Sequence, residues 1–147
     1  MIPKVYGIIV FMHVLSAVLS IGPLFILMPL IKRLRSVGTN VEGAYLSIIN
    51  VIIRLVMHAG HALVFTGVSL LIIGPWPWYT SWVILTVFVM GVSAFFLATG
   101  FTRVLRNFNK AGMNKNDILD RLNRTSWLYI GLMILMLWLM VEKPMFW

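Results

Sequence analysis

The sequence predicts an all-α membrane protein: a four-transmembrane-helix up-down bundle, one domain over residues 1–147, with both termini on the outer side. Three observations carry that expectation. The first is composition. Of 147 residues, 61% are hydrophobic and 11% charged, and the mean hydropathy is +0.96. A soluble domain lies nearer about 45–50% apolar and about 25% charged. The second is the presence of four apolar runs, 5–31, 48–73, 82–101 and 127–141. A helix needs roughly 20 residues to cross a hydrocarbon core about 30 Å thick. The third is where the charge falls: the basic residues gather in two of the three connections.

The first run, Val5 to Ile31, contains Gly22-Pro23 and Pro29, which predict a bend in its second half. It is far longer than the apolar core of a signal peptide and is read as a retained span. Lys32, Arg33 and Arg35 follow it, set against Glu42. The second run ends in GPWPWYTS at 74–81, a short uncharged connection. Trp76, Trp78, Tyr79 and Trp82 there, with Tyr6, Phe146 and Trp147, predict an interfacial aromatic belt. After the third run come Arg103, Arg106, Lys110, Lys115, Arg121 and Arg124, against Asp117 and Asp120. A short amphipathic segment, about Asn116 to Asn123, is expected there, capped by Asn114 or Asn116. The two basic connections are then cytoplasmic. The location implied is the cell (cytoplasmic) membrane, multi-pass. No period-2 pattern points to a membrane β-barrel, and there is no internal repeat or low-complexity tract.

The net charge of +8 is explained by topology rather than by nucleic acid. Its partners are the lipid bilayer and anionic lipid at the cytoplasmic loops. Cysteine is absent, which removes disulfides, thiolate metal sites, cysteine nucleophiles and c-type haem attachment. The four acidic residues lie at span ends or in loops, so there is no paired-carboxylate site. HExxH, a phosphate-binding glycine loop and a nucleophile elbow are also missing. The sequence assigns no enzyme class.

The candidate site lies inside the spans. Arg54, His58 and His61 sit at i, i+4 and i+7 within 47–73, on one helical face that Ser47 and Asn50 extend. Ionisable groups in a span are costly, so they mark a site or a buried partner. The first run carries His13, with Ser16 and Ser20 at i+3 and i+7 and Tyr6 one heptad before. Both stripes are expected to face the bundle interior. Gly60, Gly67 and Gly74 recur every seven residues on another face of the second helix, as close-approach positions; Gly91 and Gly100 are expected to serve the third.

Two imidazoles from different helices can clasp a haem iron. His13 lies about 10 Å in from Tyr6; His61 lies about 18 Å and His58 about 22 Å in from Ile73. His13 and His61 are the metal-ligand candidates for haem b between helices one and two. His58 is a pocket residue, and Arg54 either clamps a propionate or snorkels to phosphate. Plain interhelical hydrogen bonding and proton transfer stay open as alternatives. A further alternative is thioether chemistry: Met12-His13, Met57-His58, and Met133, Met136 and Met140 at i, i+3, i+7. Thioether with imidazole suits Cu(I), although methionine is also common packing.

The segment MHVLSAVLSIGPLFILMPLIKRL (12–34) has a histidine, a glycine nine residues later, and Pro29 before basic residues. The chain ends in WLMVEKPMFW. Both features resemble small membrane proteins of the CopD/HemJ-like grouping, above all the DUF2269-type integral membrane proteins. The resemblance implies a four-helix bundle, with haem and protoporphyrinogen oxidation on the HemJ side and copper passage on the CopD side. It carries over to His13, Gly22 and the Lys143-Pro144 pair. The leading functional expectation is membrane electron transfer, to or from quinone or a redox partner, or haem metabolism, with a homo-oligomer allowed. The alternatives are a haem-free copper- or ion-handling protein and a structural or assembly subunit.

Overall fold

In the computed structural model, which describes residues 2–101, 103, 106 and 115–146, the chain is helical, with no strand among the described residues. The elements are α1 (Ile2–Leu34), α2 (Thr39–Ile73), α3 (Ser81–Phe96) and α4 (Lys115–Glu142). A wider π-type turn, Leu97–Phe101, prolongs α3. All four helices are long and apolar enough to cross a membrane.

Three boundaries differ from the sequence expectation. First, α1 extends beyond the run 5–31 at both ends, to Ile2 and Leu34, as one helix that contains Pro23 and Pro29. Second, α2 begins at Thr39 rather than near 48, so Glu42 lies in its first turn, where the helix dipole favours a carboxylate. The α1–α2 connection is therefore a tight turn closed by Ser36 and Val37 amides on the Arg33 carbonyl, at 3.0 and 3.2 Å. Third, the amphipathic segment at 116–123 is the first part of α4. Its Ile118, Leu119 and Leu122 are buried, and that burial makes the polar segment continue into the span. Asn116 is thus inside the helix, not its cap. Asn114, Lys110 and Trp147 lie outside the described residues.

Cross-helix pairs fix the topology. His13 meets Thr66, Ser20 meets Tyr129, and Arg35 pairs with Asp120. Gly60 faces Leu97, Gly100 faces Thr125, and Ser81 bonds the chain at Pro144 and Phe146. His13–Thr66, Arg35–Asp120, Gly100–Thr125 and Ser81 with the tail each join an early part of one helix to the late part or end of its neighbour, and Ser20–Tyr129 and Gly60–Leu97 lie between them. So α1 is antiparallel to α2 and α4, and α3 is antiparallel to α2 and α4. The bundle runs up-down-up-down, with both chain ends at one end of it.

The two ends are packed differently. Towards the α1–α2 turn the interior is solid hydrocarbon: Leu24, Leu27, Leu34, Ile49, Ile53, Val56, Leu119 and Leu122 are all 0% exposed. Between helices in a bilayer such side chains contribute through close packing rather than by leaving water. Towards the termini the interior holds His13, Ser16, Thr86 and the cavities described below. The outside is strongly apolar, with Phe11, Phe65, Phe88, Phe95, Trp138 and Val141 all exposed. So much exposed apolar surface is what lipid contact requires and far exceeds the patches of soluble monomers.

Candidate functional site

The polar stripe of α1 faces inward as expected. His13, Ser16 and Ser20 are 7%, 5% and 0% exposed. Each is held differently. Ser16 donates to the Met12 carbonyl of its own helix at 2.7 Å. Ser20 Oγ lies 2.6 Å from the Tyr129 hydroxyl of α4. His13 Nδ1 lies 2.9 Å from Thr66 Oγ1 of α2. The Thr66 hydroxyl also lies 2.8 Å from the Ala62 carbonyl. With Thr66 donating to Nδ1 the ring is the Nε2–H tautomer; with Thr66 donating to its own helix, at Ala62 or at Leu63 (3.1 Å), Nδ1–H of His13 donates to the Thr66 oxygen. The second tautomer leaves Nε2 of His13 as the lone-pair nitrogen.

The room for His13 comes from glycine. A Cβ on Gly67 would stand 3.2 Å from His13 Cε1 and 3.2 Å from Met90 Sδ. The imidazole of α1 and the thioether of α3 therefore meet across the bare backbone of α2. Gly60 provides the matching approach lower down, against Leu97 and the Tyr129 hydroxyl. Gly100 is pressed against Thr125, whereas Gly91 meets nothing within 4 Å and serves no close approach.

Two cavities flank the His13 ring. One, of about 260 Å³, lies towards the chain ends and is bounded by Tyr6, Trp76, Trp82, Thr86, Met90, Met140 and Lys143. The other, of about 440 Å³, opens between α1 and α4 and brings Met133, Met136 and Met140 to the same histidine. Val14 and Met140 border both. Met133, Met136 and Met140 of α4 thus border the same cavity as His13, with Met133 0% and Met136 3% exposed.

The mouth of the smaller cavity is built from the tail. After α4 ends at Glu142, Lys143 takes φ 49°, the left-handed cap position, with Pro144 preventing further helix. Its ammonium sits 4.2 Å from the Trp76 ring centre and 5.7 Å from that of Trp82. Those two indoles pack edge to face at 5.3 Å. A cation over indole is favourable by about 0.5–2 kcal/mol, which offsets the left-handed backbone of a non-glycine residue. Ser81 clips the tail down, donating to the Pro144 carbonyl at 3.1 Å and accepting from the Phe146 amide at 2.9 Å. Trp82 is buried in this arrangement, while Trp78 and Tyr79 are exposed.

The stripe of α2 is placed differently from the expectation. Arg54, His58 and His61 are exposed on the outer face of the helix. His58 Nδ1 lies 2.7 Å from the Arg54 carbonyl, and His61 Nδ1 lies 2.6 Å from the Met57 carbonyl. A carbonyl only accepts, so both Nδ1 atoms carry hydrogen and both Nε2 atoms point away from the bundle. His61 borders a groove between α2 and α3 with Gly60, Val64, Phe65, Ala94 and Leu97, not either cavity of His13. The structure therefore does not bring His13 and His61 together. These two imidazoles border no common cavity, so they are not placed to share one iron between α1 and α2. The reason is physical: an imidazole bonded to its own helix has satisfied its donor and tolerates an outward position.

Tyr129, Met90 and the Lys143–Trp76–Trp82 mouth were not singled out by chemistry from the sequence. The Lys143-Pro144 pair and the tryptophan-rich connection were visible, but their meeting was not. Comparison with protein-family models, with curated proteins and with solved structures finds no match for the chain.

Proposed function

We propose that this chain is a haem-free metal-handling protein of the cell membrane, and that its cargo is Cu(I), held at His13 with thioethers from Met90, Met140 and the Met133–Met136 stretch. The carrying observation is the gathering of methionines from α3 and α4 around the one inward-facing imidazole. Sulfur and neutral nitrogen are the donor set that soft Cu(I) prefers. The described interior near His13 offers no carboxylate, so a monovalent ion brings less uncompensated charge than a divalent one. The basic α1–α2 turn and the basic α3–α4 connection favour the cytoplasmic side. The His13 cavities then open towards the outer side, beneath Lys143. The solid apolar half below Ser20 closes the other direction.

The test is anaerobic Cu(I) competition with a chromophoric chelator on detergent-purified protein. One Cu(I) per chain is expected, weakened about tenfold or more by His13→Ala and by less than about twofold by His58→Gln with His61→Gln. Unchanged binding in His13→Ala contradicts the reading. A second reading rests on the cavity space on both sides of the ring: a haem b ligated by His13 and a methionine, in electron transfer with quinone or in haem metabolism. An absorbance spectrum, oxidised and then dithionite-reduced, separates the two, since only haem gives a Soret band.

A further inference from the structure

The outward stripe of α2 is not used by the His13 site, and it carries its own inference. Counting inward from Ile73, Arg54 lies about 28 Å down the helix, His58 about 22 Å and His61 about 18 Å. Arg54 therefore stands near one boundary of a core about 30 Å thick, while His61 lies in its middle. Ser47 is exposed and Asn50 partly exposed on the same face. The polar stripe is thus about 21 Å long, from Ser47 to His61. Beside it runs the α2–α3 groove of about 310 Å³, floored by Gly60 and Ala94. Among the described residues the Arg54 guanidinium has no hydrogen-bond or ion-pair partner. The outward Nε2 atoms of His58 and His61 are likewise unbonded among them.

We infer that this face docks a membrane-spanning helix of a different protein, one that presents a carboxylate at the level of Arg54 and a bulky apolar side chain to the Gly60–Ala94 groove. A lipid headgroup reaches Arg54 but not His61, about 10 Å further in. A polar stripe that continues to mid-bilayer calls for helix-borne polar partners. A second copy cannot supply the charge. The chain has only four acidic residues, and none lies between Glu42 and Asp117. Glu42 is about 18 Å from the level of Arg54 along α2, Asp120 pairs with Arg35, Asp117 lies in the first turn of α4, a further turn towards the basic end than that pair, and Glu142 ends α4 at the opposite end of the bundle. Inverting one copy to bring unlike ends together conflicts with the basic-loop asymmetry. An opposite charge at the Arg54 level, with polar groups for the deeper histidines, is what this surface lacks and what a partner helix brings.

This inference stands apart from the copper reading. The probe is a leucine-rich single-span peptide of about 20 residues, bearing one Glu, Gln or Leu at the Arg54 level, co-reconstituted with labelled protein in phosphatidylcholine vesicles. Energy transfer should show the Glu peptide associating about tenfold more tightly than the Leu peptide. Arg54→Gln should erase that preference, and Ala94→Phe, which fills the groove, should weaken both peptides while Cu(I) binding stays as in the parent. Equal association of the Glu and Leu peptides overturns the proposal. So does Arg54-dependent energy transfer between two labelled copies, which would assign the face to self-association. Displacement of the Glu peptide by added phosphatidylglycerol also overturns it, by assigning Arg54 to a lipid headgroup.

Discussion

The histidine of α1 and the two histidines of α2 sit in comparable apolar runs, yet they occupy opposite sides of their helices. His13 is 7% exposed and reaches across to Thr66. His58 and His61 reach back to carbonyls one turn earlier in their own helix. The difference teaches that an ionisable residue in a span does not choose its side alone. The facing helix chooses, by offering space and a partner. Gly67 offers the space to His13 and Thr66 the partner; His58 is left exposed by the described residues. An imidazole bonded to its own backbone has already met half of its hydrogen-bonding requirement, so the outward position becomes tolerable where a further partner covers the rest.

Filling the space should break this contrast most strongly. Gly67→Leu drives a side chain into His13 and Met90 and should destabilise the protein by about 1–3 kcal/mol, read as a lower unfolding midpoint in detergent, with loss of Cu(I) binding. Next comes the hydrogen bond between α1 and α4. Tyr129→Phe leaves the buried Ser20 hydroxyl without its partner and should cost about 1–3 kcal/mol. Tyr129→Phe with Ser20→Ala should cost less than the sum of the singles, because the two groups share one interaction. Replacing both outer histidines, His58→Gln with His61→Gln, should shift stability by no more than about 0.5 kcal/mol, as for surface positions. A loss as large as that of Tyr129→Phe would erase the distinction between the two helices. Similarly small, Arg35→Ala should change stability by about 0–1 kcal/mol, because the Arg35–Asp120 pair is solvent-exposed. Raising the salt concentration should shrink even that difference.

Much of the architecture was legible from apolar run length and the position of charge. Four helices emerge from 5–31, 48–73, 82–101 and 127–141 because burial in hydrocarbon forces the backbone to bond within each helix. The lengthening of α2 to Thr39 and α4 to Lys115 was not legible. The segments 39–47 and 115–126 are polar enough to read as connections, and only Tyr45 and Leu46, packed against the core, and the buried Leu119 show that they pack. In the site, the inward face of α1 was legible from the small-residue spacing His13, Ser16, Ser20. The outward face of α2 was not, because a periodic stripe fixes which residues share a face but not what lies opposite it. Met90 was invisible for a related reason: its nearness to His13 depends on Gly67 being bare, which is a property of three helices together. The same limit hid the mouth, where Lys143, Trp76 and Trp82 come from segments more than sixty residues apart in sequence.

X-ray absorption at the copper edge of anaerobically Cu(I)-loaded protein tests the central claim most directly. The chain contains no cysteine, so any sulfur bound to copper must be methionine thioether. One nitrogen and at least two sulfur neighbours are expected, with the nitrogen lost in His13→Ala and kept in His58→Gln with His61→Gln. A shell of nitrogen and oxygen alone, or a nitrogen that survives His13→Ala and disappears with the outer histidines, would contradict the account.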